Sequence, residues 1–354
     1  MPKITIIGPS KSFESGITHY TERLSKELKA PTIQYKRMVP KFLFPGKQRV
    51  DLSFGELDWY NPISWLKAAH KHQNSDVFII EYWTAAVNHM ILFLQIALLT
   101  YTKIYKFVNF GVPKEEKKFV LEMHEIVDPL EKSILPIKLY ARITRRLIMR
   151  RAQSIVLHSQ HDFDLVEKYP EKKYFIIPHG LYDQYMVRPE AHRSFNILFY
   201  GVIREYKGVE ILLEAFNKLD FDVRLFIVGE PWDYVKIPNS DRIVRISCYV
   251  DEKTTENVFN LADVLVLPYK RASQSGVAHI GMAFGLPIIY TSVGGIHEAL
   301  RDYEGGYCVP PNDPEGIRLM LELVYKAGPK RYPVPEHLKW ENIKEKWKEV
   351  VENG

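Results

Sequence analysis

Cysteine is scarce in this sequence, with only Cys248 and Cys308 among 354 residues. Two cysteines cannot build a scaffold held by several disulfides, and they cannot supply a cysteine-rich zinc site. A signal peptide is also not expected, because the apolar run that ends at Gly8 is too short for one. These absences favour a protein of a reducing compartment, and we expect it to be cytoplasmic.

A strong compositional bias is absent as well, since 46% of the residues are hydrophobic and 26% are charged. This composition excludes disordered and fibrous chains, and the length suggests two domains. Residues 1–180 carry a net charge of +9 and the remainder a net charge of −4. The basic half suggests an anionic partner, such as a lipid surface or a phosphorylated substrate. Nucleic acid is not expected, because no nucleic-acid-binding module accompanies the charge.

Short apolar runs alternate with helical patterns along the whole chain. This alternation predicts an α/β fold in which parallel sheets are covered by helices on both faces. One series of strands is expected before about residue 178 and a second from Asn196, with the strand-poor segment Leu181–Ser194 as the linker. The strand-like runs are Lys3–Gly8, Asp76–Ile80, Phe119–Met123, Ser154–Leu157, Tyr174–Ile177, Asn196–Gly201, Val223–Gly229, Asp263–Pro268 and Pro287–Thr291.

Two segments of the first half could meet a membrane. The segment Tyr82–Thr102 has no charged residue and is long enough to span a bilayer. Because it contains Asn88, His89 and Gln95, we predict a buried or partly membrane-facing helix rather than a span. The segment Ile134–Gln153 is predicted to be a helix with six Lys or Arg residues. Such basic amphipathic helices bind anionic lipid surfaces, and an ordinary solvated helix face is the equal alternative.

Three strand–helix junctions are candidate ligand sites, because helix N-termini present backbone N–H groups to anions. The loop Gly8–Gly16 contains neither G-x-G-x-x-G nor G-K-[ST], so a plain turn is its alternative interpretation. After the strand that ends at residue 201, Arg204 and Lys207 could embrace a diphosphate, and Gly208 would let the next helix begin close to it. The third junction is the small-residue segment Ser273–Val277, which precedes a helix.

His124 and one pair of aspartates are further candidates. His124 follows a strand-like run, at the edge of a parallel sheet where side chains face a ligand. Its imidazole could donate a hydrogen bond there, although a lone histidine is more often structural. Asp162 and Asp164 match a D-x-D metal motif, but they follow Ser159 at a predicted helix start. We therefore interpret them as capping or helix-dipole residues and predict no metal site.

A series of short motifs in the second half occurs in a fixed order. They are Phe199-Tyr200-Gly201, Arg204–Gly208, Val228-Gly229-Glu230, Ala262-Asp263-Val264, Pro268-Tyr269, Ala283–Pro287 and Val293–Glu298. The series resembles the group 1, family 4 retaining glycosyltransferases. The first half is similar more loosely, through Gly16-Ile17-Thr18, Tyr20, His124 and Pro178-His179-Gly180. The tail Trp340–Trp347 resembles the family's final helix.

The resemblance implies a GT-B fold, with two Rossmann-like domains, a central cleft and a C-terminal helix that crosses back to the first domain. It implies an acceptor-binding domain at 1–180 plus about 336–354, and a nucleotide-sugar-binding domain at 181–335. The implied reaction is the retaining transfer of a mannose- or glucose-type hexose from a GDP- or UDP-sugar to a glycan or lipid-linked acceptor. No metal or cofactor is required, because cationic side chains and helix N-termini can stabilise a leaving diphosphate. The basic first half adds the expectation of peripheral contact with the cytoplasmic face of the membrane.

The resemblance also assigns roles to individual residues. It implies that Arg204 and Lys207 hold the donor diphosphate and that His124 hydrogen-bonds the transferred sugar near the reacting carbon. These three are the expected catalytic residues. The expected donor-binding residues are Gly16, Gly201, Gly208, Glu230, Tyr249, Val250, Gln274, Ser275, Gly276 and Val277.

One family feature is missing. Alignment on Gly285 without gaps puts Ala272 and Ile280 where the family has a Glu-x7-Glu pair, and Gln274 could replace the first glutamate if the loop is shifted. The loss leaves open a non-catalytic protein that binds sugar nucleotides. A sugar-nucleotide epimerase of the same fold is a further alternative, but it needs acid–base carboxylates that the sequence does not present as a clear pair.

Overall fold

The computed structural model describes residues 2–9, 16–37, 55–108, 116–126, 129–132, 134–190, 192–272 and 274–354. The chain divides into two units, of which one contains Met1–Ile177 and Trp340–Gly354 and the other contains Pro178–Lys339. The boundaries expected from the sequence, at 180/181 and 335/336, lie a few residues from these.

The first unit is built on a parallel sheet of seven strands. They are β1 (Ile4–Gly8), β2 (Thr32–Arg37), β3 (Leu57–Asp58), β4 (Val77–Tyr82), β5 (Lys118–Met123), β6 (Ser154–Leu157) and β7 (Lys173–Ile176). Their order across the sheet is β3-β2-β1-β4-β5-β6-β7. All six residues of the central strand β4 are buried, because helices cover both of its faces.

Five helices of this unit follow the strands in turn. They are α1 (Gly16–Leu28), α2 (Pro62–Lys71), α3 (Asn88–Val108), α4 (Leu135–Arg151) and α5 (Gln160–Leu165), with 3-10 turns at Ala85–Val87 and Pro129–Lys132. Helix α5 begins after Ser159, whose side chain accepts a hydrogen bond from the backbone N–H of Asp162. Asp162 is buried in the first turn of that helix, where a carboxylate faces the positive end of the helix dipole.

Helix α3 is the one helix in the described part of the chain that is long and apolar enough to cross a membrane, together with the preceding turn. Within its 18-residue apolar stretch, slightly more than half of the residues, 56%, are buried inside the protein. Met90, Leu94 and Leu98 belong to the core of the first unit. The end of the helix is different, because Phe107 is 86% exposed. A core helix of a soluble protein passes the same length and composition test, as does a membrane span.

The second unit contains a parallel sheet of six strands, in the order β10-β9-β8-β11-β12-β13. The strands are β8 (Phe195–Tyr200), β9 (Val223–Val228), β10 (Ile243–Ile246), β11 (Val264–Leu267), β12 (Ile288–Thr291) and β13 (Gly306–Val309). Its helices are α6 (Val209–Asn217), α7 (Glu252–Leu261), α8 (Gly276–Ala283), α9 (Gly294–Leu300) and α10 (Pro314–Ala327), with 3-10 turns at Glu205–Lys207 and Glu336–Leu338. One apolar core lies on each face of the sheet.

The last helix, α11 (Trp340–Asn353), belongs to the first unit. Its buried residues Trp340 and Trp347 pack with Tyr20 and Leu24 of α1. The indole Nε1–H of Trp347 donates to the phenol oxygen of Tyr20 over 3.4 Å. The predicted α/β class is confirmed, and so is the predicted return of the final helix to the first unit.

Candidate functional site

The candidate donor residues of the second unit gather at the carboxyl ends of its central strands. Gly201 follows β8 with a positive φ of 103°. A Cβ at Gly201 would stand 2.9 Å from Nζ of Lys207 and 3.3 Å from Cγ2 of Val277. The structure therefore brings three of the predicted residues together. The missing side chain at position 201 is what makes room for the ammonium group.

Lys207 lies in an unusual environment for a lysine. It is only 9% exposed, and its ammonium group stands 5.2 Å from the centre of the Tyr269 ring. Burial lowers the pKa of this lysine, and the positive charge of Arg204 lowers that pKa further. A buried cation of this kind is stabilised by an anionic ligand, since an uncompensated buried charge is costly.

Arg204 is more open than Lys207, with 40% of its side chain exposed. Its Nε lies 3.6 Å from Oδ2 of Asp233, and its guanidinium carbon lies 5.6 Å from the centre of the Trp232 ring. The indole N–H of Trp232 in turn donates to Oε2 of Glu230 over 3.1 Å. Glu230 thus contacts Trp232, whose ring also lies beside the guanidinium group of Arg204. Asp233 and Trp232 were not predicted, because their contact with Arg204 depends on the bridge between Ile203 and Pro231.

Gly208 is required by the backbone as well as by any ligand. Its φ is +68°, and a Cβ there would stand 2.1 Å from the carbonyl oxygen of Pro268. Helix α6 begins immediately afterwards, at Val209. The sequence predicted that Gly208 lets the chain approach a ligand closely. In the structure it also lets this loop approach the backbone at Pro268, within the second unit.

The start of α8 supplies backbone N–H groups near the same position. Ser275 caps the helix by accepting a hydrogen bond from the N–H of Ala278 over 3.3 Å. Gly276 and Val277 are its first two residues, and Gln274, half-buried, precedes the cap. Ser273 lies outside the described residues. N-terminal N–H groups of a helix have no partner within the helix and so suit an anion.

Two histidines and a tyrosine flank this helix start. The ring of His179 stacks on that of Tyr182 at 5.6 Å and lies 5.0 Å from the ring of His279. A Cβ at Gly276 would stand 3.0 Å from the phenol oxygen of Tyr182. Burial lowers the pKa of His279 to about 4. The Pro178-His179-Gly180 motif signalled His179, whereas nothing in the sequence singled out Tyr182 or His279.

Tyr249 and Val250, expected near the nucleotide base, lie in the segment between β10 and α7. Tyr249 is exposed, and Val250 packs against one of the two apolar cores of the unit. This segment follows the carboxyl end of β10, which is two strands from β8 in the sheet order. It shares the sheet edge with Glu230 but is more distant along that edge from Lys207.

The predicted residues of the first unit lie at the corresponding edge of its own sheet. His124 follows β5 and is buried between Tyr20 and His158, whose ring centres lie 5.3 Å and 4.8 Å away. Gly16 is the first residue of α1, while residues 10–15 of the preceding loop lie outside the described residues. Tyr20 belongs to the loosely similar motif, but His158 carried no sequence signal.

Two fully buried carboxyl groups lie on neighbouring strands near the end of β5 that His124 follows. Glu81 and Glu122 are paired residues on the neighbouring strands β4 and β5. Burial raises the pKa of each carboxyl, and their proximity raises that of Glu81 further. Burial also lowers the pKa of His124, with His158 as a second cause. Thr21 donates a hydrogen bond to Glu81, and a Cβ at Gly8 would stand 2.3 Å from Oε2 of that glutamate.

In the described part of the chain, one group of side chains has its donor atoms close enough to hold a metal ion. It consists of Glu122, His124 and His158. The sequence predicted no metal site, since these residues come from two strands and no spacing motif joins them. The aspartates of the D-x-D sequence do not belong to this group.

Comparison with known proteins identifies the family of the second unit. Residues 194–324 match the glycosyl transferases group 1. A D-inositol 3-phosphate glycosyltransferase of Corynebacterium diphtheriae is 30% identical over 148 residues, 38% of this chain and 35% of that protein. A GDP-mannose:glycolipid 4-beta-D-mannosyltransferase of Xanthomonas campestris pv. campestris is 28% identical over 127 residues, 32% of this chain and 35% of that protein. The chain spans 35 to 42% of the length of such curated relatives.

Solved structures extend the likeness to both units. HepE of Anabaena, in complex with UDP, is similar over 99% of this chain and 100% of its own, with a TM-score of 0.68 and 12% identity. At that identity the likeness concerns the fold. Residues 194–324 are therefore a group 1 glycosyltransferase domain, and the chain that carries this domain has the GT-B fold.

Proposed function

We propose that this protein is a retaining glycosyltransferase that moves a mannose- or glucose-type hexose from a GDP- or UDP-sugar to a glycan or lipid-linked acceptor. The observation that carries the proposal is the buried ammonium group of Lys207 beside Gly201 and Val277. The diphosphate of a sugar nucleotide is an anion that would compensate this charge. The names of the relatives support the donor class, since one includes GDP-mannose and the similar HepE structure contains UDP.

In the proposed reaction, the bond between the anomeric carbon and the diphosphate oxygen breaks, and the acceptor hydroxyl oxygen bonds to the same carbon. Negative charge grows on the leaving diphosphate, where Lys207, Arg204 and the N–H of Gly276 would stabilise it. The acceptor's proton passes to the leaving oxygen on the same face of the sugar. This route retains configuration and needs neither a protein base nor a metal ion.

The residues of the first unit are proposed to act on the sugar and the acceptor. His124 would donate a hydrogen bond to the transferred sugar near the reacting carbon, and its place at the end of β5 supports this role. Gly16 would let the start of α1 approach the phosphate or the acceptor. The N-terminal unit would accordingly bind the acceptor, and the second unit the donor.

A peripheral position at the cytoplasmic face of the membrane completes the proposal. Leu135, Leu139 and Ile143 form an exposed apolar row with four-residue spacing along α4. Lys138 and Arg142, also four residues apart on α4, lie beside this row. An exposed apolar row flanked by cations suits an anionic lipid surface, where a lipid-linked acceptor would be found.

A non-catalytic sugar-nucleotide-binding protein is the second candidate function. The observation that favours it is Ile280, which is buried in an apolar core where the family has a glutamate. The partly buried Ala272 stands at the other glutamate position. Neither side chain can hydrogen-bond a sugar or ribose hydroxyl.

Turnover in a donor screen separates the two functions. The full chain is incubated with GDP- and UDP-hexoses and a mixture of glycan and lipid-linked acceptors, and release of nucleoside diphosphate is measured. We expect release with at least one donor, reduced roughly 100-fold in Lys207→Ala, since removal of one charge-stabilising donor costs about 3 kcal/mol. The matched control is Lys218→Ala, at the exposed C-terminal cap of α6. Nucleotide binding without turnover would favour the non-catalytic function.

A further inference from the structure

Three buried side chains of the first unit bring their ligand atoms to one point. One ligand atom from each of Glu122, His124 and His158 lies within 4.8 Å of the others. Nε2 of His124 lies 4.0 Å from Oε2 of Glu122, and Nε2 of His158 lies 3.6 Å from Oε1 of the same carboxyl group. Two ligands of one tetrahedral zinc ion lie roughly 3.4 Å apart, given bonds of about 2.1 Å. A small inward shift would therefore bring all three onto one ion.

The sheet itself places these residues on a common face. Glu122 pairs with Val156 in the register of β5 and β6, so His158, two residues further, stands beside His124. The backbone N–H of His124 donates to the carbonyl oxygen of Tyr82 over 2.8 Å, which continues the pairing past the end of β5. Successive side chains of a strand alternate between faces, so residues 122 and 124 share one. The group is thus built on paired strands rather than on a free loop.

The orientation of His158 indicates which of its ring nitrogens faces the carboxyl group. Nδ1 of His158 lies 2.9 Å from the carbonyl oxygen of Ile177. A carbonyl oxygen only accepts, so Nδ1 carries the proton and donates. In a neutral ring, Nε2 then carries a lone pair that faces Oε1 of Glu122. Metal-binding histidines are commonly oriented by this bond from the second ring nitrogen to a carbonyl group.

The charge around the group is also suited to a cation. Glu81 and Glu122 are neighbours across two strands, and both are fully buried. Within the described ranges, no lysine or arginine lies at ion-pair distance from either carboxyl group, and the ion-pair neighbours of Glu122 are His124 and His158. An ionised carboxylate is costly to bury, so burial favours the protonated form of both groups. A divalent ion beside Glu122 would compensate the ionised form.

We propose that Glu122, His124 and His158 form a binding site for one divalent transition-metal ion of the zinc class. Two imidazoles and a carboxylate are a ligand set that zinc accepts, and cobalt binds the same type of site. Three protein ligands leave a fourth tetrahedral position for a water molecule or a ligand hydroxyl group.

The site has a consequence that rests on the proposed function. The Nε2 atom of His124 cannot bind a metal ion and hydrogen-bond the transferred sugar at the same time. Zinc would therefore inhibit sugar transfer by occupying His124, and a chelator would restore it. The metal would act on this protein as a regulator of the site, while the reaction itself proceeds without metal.

Direct metal binding tests the proposal without reference to activity. The full chain, free of any affinity tag, is treated with a chelator and titrated with Co²⁺ and then Zn²⁺. We expect one equivalent of Co²⁺ with the visible absorption of a tetrahedral complex, displaced by one equivalent of Zn²⁺. Glu122→Gln and His158→Gln should each weaken binding roughly 100-fold, by analogy with the large effects of losing metal-site groups. The control is His72→Gln, a buried histidine that contacts Glu56 in the same unit.

Several results would overturn the proposal. The first is that the wild-type chain binds no stoichiometric metal ion. The second is that both variants bind metal as the wild type does while circular dichroism shows that they are folded. Should the variants not fold, X-ray absorption of the wild-type zinc complex decides, because the proposal requires two imidazole ligands. Titration with UDP and GDP is a separate measurement. Nucleotide binding without zinc uptake overturns only the metal site, and zinc uptake without nucleotide binding overturns only the proposed function.

Discussion

The ammonium nitrogen of Lys207 stands 2.9 Å from the point that a Cβ on Gly201 would occupy. The two residues are thus coupled, because the absence of a side chain at the end of β8 provides the space in which the cation lies. Any side chain at position 201 must displace Lys207 or the backbone of the loop. This relationship connects a glycine of the sequence motif directly to the candidate diphosphate site.

The coupling predicts the effect of Gly201→Ala. The positive φ of residue 201 should cost about 1–3 kcal/mol of stability in an alanine variant. Displacement of Lys207 should in addition weaken binding of the nucleoside diphosphate. The control is Gly328→Ala, since residue 328 also has a positive φ, of 76°, but nothing within 4 Å of its Cβ position. We expect the control to lose stability while keeping nucleotide affinity, and equal affinity in both variants would contradict the coupling.

The buried charge of Lys207 predicts a pH dependence of stability. Because burial lowers the pKa of this lysine in the folded protein, the unfolded chain binds more protons between that value and the ordinary value of 10.5. The free energy of unfolding should therefore rise as the pH increases through this window. Lys207→Met should lack the rise and be at least as stable as the wild type at neutral pH. Urea denaturation of both proteins at neutral pH and at about pH 9 measures the change in the free energy of unfolding. An equal change in the wild type and in Lys207→Met would contradict the prediction.

His279 predicts a loss of stability in acid. Its pKa of about 4 in the folded protein lies below the ordinary value of 6.5. The unfolded chain therefore binds more protons between these values, and stability should fall as the pH decreases through them. The loss from this group reaches about 3 kcal/mol below pH 4. The midpoint pH of acid unfolding should therefore be lower in His279→Gln than in the wild type. The control His70→Gln, at an exposed site, should not show this shift. Acid titration followed by circular dichroism tests this, and identical shifts in both variants would contradict it.

The last helix predicts a graded response at position 347. Trp347 is fully buried and contacts Tyr20, so Trp347→Ala should cost about 3–5 kcal/mol by creating a cavity. Trp347→Phe keeps most of the apolar contact and should cost less. Glu349→Ala, on the exposed face of α11, serves as the control. Denaturant unfolding gives the three values, and a small effect of Trp347→Ala would show that α11 does not stabilise the first unit.

The membrane proposal predicts a difference between two leucines of similar exposure. Leu139 of α4 is 48% exposed and Leu319 of α10 is 47% exposed. Leu139→Glu should reduce cosedimentation with anionic vesicles, because it places a negative charge in the proposed contact row. Leu319→Glu should leave cosedimentation unchanged. Wild-type binding that is absent, or that is as strong to zwitterionic as to anionic vesicles, would contradict the proposed contact.

Much of the fold could be predicted because its central strands are uninterrupted apolar runs. β4, β5, β8 and β11 all correspond to runs that the sequence displays. Strands with a weak apolar pattern were missed, since β2 (Thr32–Arg37) alternates polar and apolar residues and the edge strand β10 (Ile243–Ile246) is only half-buried. Such strands carry a weaker apolar signal than central parallel strands.

The candidate site could be predicted only in part. Residues in sequence motifs, such as Lys207 and Gly276, were found because they follow strands or begin helices. Glu81 and His158 were not, because their place beside His124 depends on the register between strands that are distant in sequence. Trp232 was also missed, because the contact of its ring with Arg204 depends on the bridge between Ile203 and Pro231.

The central claim is that Lys207 binds the diphosphate of a sugar nucleotide, and calorimetric titration with UDP and GDP tests it most directly. The wild-type chain should bind at least one of the two. Lys207→Met, which keeps the length of the side chain and removes its charge, should lose roughly 100-fold in affinity while remaining folded. Lys218→Met should bind like the wild type. Equal affinity of the wild type and Lys207→Met for the nucleotide, or no binding of either nucleotide by the wild type, would contradict the claim.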